Sequence, residues 1–216
     1  MKFKNALAGV KKLFASEIVS IIAAILSLAA VIIIAASKGN EALVAGAATL
    51  TLVSGIALIV ALVFQLIGLH QGGKDQVEVH YAFWFVIFSI VLLIAGTVMS
   101  QVNNDIVKNV GKYFSIASNV AVVISLEYTL IGYSDIAKRA GSETMYARGR
   151  FLAICVLILF AVSIVMDLYS NILSSNALEW IKTTVLIAGI VAAVAELVVY
   201  VLVVVYYYKS IKLLSK

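Results

Sequence analysis

Two acidic residues lie inside long apolar runs, where an ionised carboxylate is costly unless it is neutralised, paired or hydrated. Glu196 sits near the middle of TTVLIAGIVAAVAELVVYVLVVVYYY, which spans Thr183–Tyr208, and Glu127 lies within the run Tyr113–Tyr133. No Lys or Arg occupies the centre of either run. Such an acid can relay protons, hold a cation or hydrogen-bond a substrate amine. The alternative is a neutral acid that donates to a neighbouring helix and stabilises packing by about 1 kcal/mol. Thr184, Ala188, Ala192, Glu196 and Tyr200 recur every fourth residue and form a small and polar stripe leading to the acid. Ser115, Ser118, Ser125 and Thr129 share one face of the Glu127 helix. Glu127 points about 200° away from Ser125 at 100° per residue, which argues against a single narrow polar pore.

Other polar positions carry weaker signals. Asp167 lies four residues after Ser163, near the outer end of its run. An acid at that level is most simply hydrated. His70, Asp75, Glu78 and His80 share one short connection. Their spacing fits no metal motif, and no H-E-x-x-H occurs on a helix, so His70 and His80 are only weak metal candidates. Arg139, Arg148 and Arg150 fit either contacts to anionic lipid headgroups or a purely topological role. The single cysteine, Cys155, excludes an internal disulfide. There is no phosphate loop and no nucleophile elbow. The sequence therefore points to no catalytic site and no cofactor.

The elements that must position these residues are transmembrane helices. Of 216 residues, 63% are hydrophobic and only 12% are charged, and mean hydropathy is +1.11. Soluble domains sit nearer 45–50% apolar. Six apolar runs cover about residues 18–36, 43–69, 81–100, 113–133, 151–169 and 183–208. Roughly 20 apolar residues suffice to span a bilayer's hydrocarbon core. An all-α, six-span membrane protein is expected, with a transmembrane domain over residues 17–208 and a basic tail over 209–216. Pro is absent, so no span carries a proline kink. Ala47, Thr51 and Gly55 form a small-residue stripe that suits close helix approach.

Residues 1–16 read as an amphipathic basic segment. Phe3, Leu7, Val10 and Phe14 share one helical face and lysines occupy the others, as in a helix lying on a membrane surface. Twelve Lys and Arg residues fall on the side of the two termini and the even-numbered loops, against four on the opposite side. The positive-inside rule then places both termini in the cytoplasm. It also explains the net charge of +5 without nucleic acid. Short loops suggest a bacterial plasma membrane.

The chain also resembles itself. Leu66-Ile67-Gly68 and Leu130-Ile131-Gly132 are 64 residues apart, as are Lys74 and Lys138, which suggests three tandem helical hairpins. Two functions from different classes remain. The first is a small permease using Glu196 and Glu127 for proton or cation coupling to a small-molecule substrate. The second is an accessory subunit that binds a membrane protein partner or a second copy through its helices. Membrane lipids are partners in either case.

Overall fold

The computed structural model describes residues 3–37, 40–173 and 179–215, and side chains within this set except for 166–186. The described residues form six α-helices and no strand: α1 Lys4–Ala36, α2 Glu41–Gly72, α3 Val77–Ser100, α4 Asp105–Arg139, α5 Glu143–Leu173 and α6 Glu179–Leu214. All six are long and apolar enough to cross a membrane, which suggests a multi-pass membrane protein.

The helices overrun the apolar runs because hydropathy marks the lipid-compatible side chains, not the end of the backbone ladder. α4, with 35 residues, is about 52 Å long at 1.5 Å per residue, against a hydrocarbon core of about 30 Å. The ends are set by caps. The Asn40 side chain accepts hydrogen bonds from the backbone N–H of Ala42 (3.0 Å) and Leu43 (3.4 Å). Asn104 does the same for Ile106 and Val107 at 2.9 and 3.4 Å, which satisfies orphan donors at each helix start. The stretch Asp135–Arg150, which lies between the fourth and fifth apolar runs, is almost entirely helix. Gly141, at φ +84, ends α4. Its N–H bonds to Lys138 O and that of Ser142 to Ala137 O, both at 2.9 Å, the 6→1 and 5→2 pattern that a left-handed glycine closes.

Contacts run around the molecule from α1 to α2 and onward to α6, and α6 returns to α1. The α1–α2 and α3–α4 pairs are the most extensive, and α4 also touches α6 across the ring. The large buried side chains collect at the end that holds both chain termini. There Val10 and Leu13 of α1 meet Leu69, Val79, Leu130, Ile136, Leu152 and Tyr207 from the other five helices. Residues 4–16 are therefore not a separate surface helix. They are the first turns of α1, and Leu7 and Val10 on their apolar face are buried in this core. Tyr133 is 1% exposed, and its hydroxyl donates to Ala6 O at 3.4 Å. A Cβ on Gly9 or Gly72 would come within 2.6 Å of that hydroxyl.

Toward the other end, the first two helix pairs are held differently. In α1 the inward positions Gly9, Ser16, Ala23 and Ala30 are buried, and in α2 they are Ala47, Ser54, Ala61 and Gly68. Every one is small and each follows the last by seven residues. Ser16 donates to Ala61 O at 2.7 Å, Ser54 donates to Ala23 O at 2.9 Å, and Ser27 and Ser54 are 2.6 Å apart. The α3–α4 pair repeats the device with Ala82, Ser89 and Gly96 against Gly111, Ser118 and Ser125. Ser118 donates to Ser89 O at 2.8 Å and Ser125 to Ala82 O at 2.9 Å. The expected stripe through Ala47, Thr51 and Gly55 has the wrong period. Ala47 is buried, but Thr51 and Gly55 face outward. A seven-residue recurrence is what two helices coiling around each other keep in register.

Candidate functional site

Among the described residues, the third pair is not zipped in this way. A Cβ on Gly149 of α5 would meet the Tyr206 hydroxyl of α6 at 2.6 Å and Ser134 Cβ of α4 at 2.7 Å, so the Tyr206 ring reaches across to α5 at the terminal end. One seven-residue step along each helix reaches Val156 and Val199, and the next reaches Ser163 and Ala192. Valines replace the Gly, Ala and Ser of the other pairs at the first step, and a Cβ-branched side chain keeps backbones apart. A cavity of about 310 Å³ opens there, with Val156, Ser163 and Val199 in its wall. Val123 and Leu126 of α4 and Phe160, Tyr200 and Val203 of α5 and α6 complete most of the apolar lining.

Two carboxylates enter this cavity, Glu17 from α1 and Glu196 from α6. Glu17 is half-buried and Glu196 is exposed. The Tyr200 hydroxyl donates to the backbone carbonyl of Glu17 at 3.3 Å, so it ties α6 to α1 beside the two acids. Among the described residues, no basic side chain lines the cavity. The wall residues lie about 17–30 Å along their helices from the terminal end at 1.5 Å per residue, around the middle of the bundle. Two acids on one wall of low polarity leave negative charge that a proton or a cation would compensate. Ser163 and Tyr200 supply hydroxyls beside it.

The structure thus places Glu17, a residue that the apolar runs taken singly pass over, in the lining of the same cavity as Glu196. Glu127 is half-buried on α4 but does not line the cavity, although its neighbour Leu126 does. In the hydroxyl stripe of the same helix, Ser118 and Ser125 donate to α3 carbonyls, and Ser115 and Thr129 donate to carbonyls of α4 itself. Asp167 lies outside the residues whose side chains are described. Cys155 is a free, partly buried thiol.

The polar candidates at the terminal end are mostly engaged within the protein. Arg150 pairs with Asp135 at 2.9 Å. Arg139 donates to Asp75 O at 3.2 Å and to the Gln76 side chain, and it lies over the Phe3 ring at 5.4 Å. Asp75 in turn accepts from the Asn5 side chain at 2.9 Å and from the Ala6 N–H at 2.7 Å, so it caps α1 from the α2–α3 turn. His70 and His80 both pack on Phe83, with ring centroids 5.6 and 6.5 Å away, and His80 Nε2 accepts from the Trp84 indole at 3.1 Å. Among the described residues, no group of three or more His, Cys, Asp or Glu is placed to hold a metal ion. Arg148 remains exposed.

Compared with known proteins, the chain matches no family model, no curated protein and no solved structure.

Proposed function

We propose that the protein is a small permease that binds an organic cation with an apolar body at the Glu17–Glu196 cavity and couples its movement to protons. One observation carries this reading: two acidic residues from the first and last helices line a mostly apolar cavity of about 310 Å³ with no basic side chain among the described residues of its wall. That volume sits at the lower end of small-molecule sites, which run from about 300 to 1,000 Å³. Valine, leucine and phenylalanine suit the body of such a ligand, and the acids suit its charge. Release of the cation would leave the same negative charge for a proton to compensate, so the two ligands compete for one site.

The test is flux in proteoliposomes. With an imposed proton gradient, wild-type protein moves tetrapropylammonium, and Glu196→Gln or Glu17→Gln abolishes the movement. Unaltered flux in both variants rules out the mechanism.

Two structural features support an orientation and a repeat. The Lys and Arg of the terminal end, among them Lys4, Lys11, Lys74, Arg139 and Lys209, fit termini in the cytoplasm. Labelling of Ser142→Cys only after membrane permeabilisation is the expected result. The inward small residues of α2 at 47, 54, 61 and 68 return in α4 at 111, 118, 125 and 132, each 64 residues later. This fits tandem hairpins, of which the third has diverged to open the cavity. An accessory-subunit role is the second reading. It is favoured by the half of α1–α2 and of α3–α4 away from the termini, where large apolar side chains such as Ile25, Leu52 and Ile94 face outward. A membrane partner that copurifies at fixed stoichiometry, together with absent flux, would select it.

A further inference from the structure

The α5–α6 pair has a second opening at the terminal end, separate from the acidic cavity. It is a groove of about 240 Å³ walled by Phe151, Leu152, Leu202 and Val205, with Arg148 and Lys209 at its edge. Both cations are exposed. Their neighbours in sequence and space are not comparable. Arg150 is paired with Asp135, Arg139 is spent on the α2–α3 turn, and Lys138 and Lys212 lie over the Tyr146 and Tyr208 rings at 4.8 and 4.6 Å. Among the described residues Arg150–Asp135 is the one ion pair, so Arg148 and Lys209 bring two uncompensated positive charges to one apolar groove.

We propose that this groove holds one anionic phospholipid, with the headgroup phosphate between Arg148 and Lys209 and an acyl chain against Phe151, Leu202 and Val205. The chemistry selects the occupant. Phe151 is 62% exposed and Leu202 43% exposed, so the groove opens on the face that a bilayer covers. Two cations at one end of it fix the polar end of the ligand. A zwitterionic lipid brings its own ammonium to the site and leaves the two cations uncompensated, whereas an anionic lipid supplies net charge and a forked acceptor for the guanidinium. The site lies at the end of the bundle where the basic residues collect, so the lipid belongs to that leaflet. This inference does not depend on the Glu17–Glu196 cavity.

Native mass spectrometry of the full chain in mild detergent, titrated with phosphatidylglycerol or phosphatidylcholine, tests it. Wild-type protein retains one phosphatidylglycerol about 30-fold more tightly than phosphatidylcholine, the factor expected of two basic side chains at a membrane surface. Arg148→Ala/Lys209→Ala abolishes that preference, while Arg148→Lys keeps most of it. Lys4→Ala/Lys11→Ala removes the same charge from exposed positions on α1 and leaves the preference intact. Val205→Trp fills the groove and weakens retention of both lipids. Because these positions are at the surface, helicity and melting point stay close to wild type. Equal loss in the α1 control would show general surface attraction and overturn the site. So would competition by glycerol 3-phosphate at the same concentration as the lipid, because it would show an anion site with no use for the acyl groove.

Discussion

Glu17 and Glu196 are chemically alike, yet they reach the cavity from opposite ends of the chain and with different exposure. If their shared negative charge is what holds a cation, each Gln substitution weakens tetrapropylammonium binding by about tenfold, equivalent to about 1.4 kcal/mol, and the double substitution leaves none measurable. Glu127→Gln leaves binding unchanged, because Glu127 lines no part of the cavity. Calorimetric titration reads the four variants against the wild type on one scale, and a loss in Glu127→Gln equal to that in Glu17→Gln would refute the assignment. Glu196 was legible in the sequence because it interrupts an apolar run of 26 residues between Thr183 and Tyr208. Glu17 was not, because it stands at the boundary between the lysine-rich start of the chain and the apolar run Ile18–Ala36. The signal that would have found it is continuity. The Leu7, Val10 and Leu13 positions continue into Ser16 on one face of an unbroken helix, so the segment belongs to the bundle and carries Glu17 inside with it.

The helices as elements were readable from hydropathy, whereas their mutual faces were not. Small residues are frequent throughout these spans, so a four-residue stripe through Thr51 and Gly55 looks as good on paper as the seven-residue one through Ser54 and Ala61. Only the coiling of α2 about α1 distinguishes them, since coiled helices return to the same face every seven residues. Glycine separates the two patterns experimentally. At Gly96 a Cβ would lie 2.9 Å from the Gly111 carbonyl oxygen, and the converse contact is also 2.9 Å. Backbone cannot yield as a flexible side chain does, so α3 and α4 must move apart. Gly96→Ala is expected to cost about 1–3 kcal/mol, the range for overpacking a tight interface. Gly55 has nothing within 4 Å of an added Cβ. Gly55→Ala is expected to be neutral or to stabilise by up to about 1 kcal/mol through helix propensity. Unfolding in mixed detergent micelles measures both, and equal effects at the two sites would contradict the zipped interface. The same logic locates the cavity. Where Val156 and Val199 occupy the corresponding layer, the helices cannot close.

Across the whole molecule, the cavity has a floor, and the floor is held by a few polar contacts. The core at the terminal end closes the bundle below Val156 and Val203, and the six helices meet there. Asp75 fastens α1 to the α2–α3 turn through Asn5 and the Ala6 N–H, and Arg139 fastens the same turn to α4. These contacts bridge the first helix pair to the second, which the α2–α3 interface alone joins weakly. A permease that passes its ligand through this end must break them, whereas an accessory subunit has no such need. Asp75→Asn keeps the shape but leaves one acceptor oxygen where there were two, so either the Asn5 amide or the orphan Ala6 N–H of α1 loses its acceptor. The expected stability loss is about 1–2 kcal/mol, as for a lost helix cap. Arg139→Ala frees the turn from α4. If the closed floor limits turnover, both substitutions raise tetrapropylammonium flux while they lower the melting point, because opening then costs less relative to the closed state. If the floor is only structural, the melting point falls and flux falls or stays level with it. Measuring flux and melting in the same preparations separates the two, and a rise in flux that Glu196→Gln cancels would tie the latch at the terminal end to the acids in the middle of the bundle.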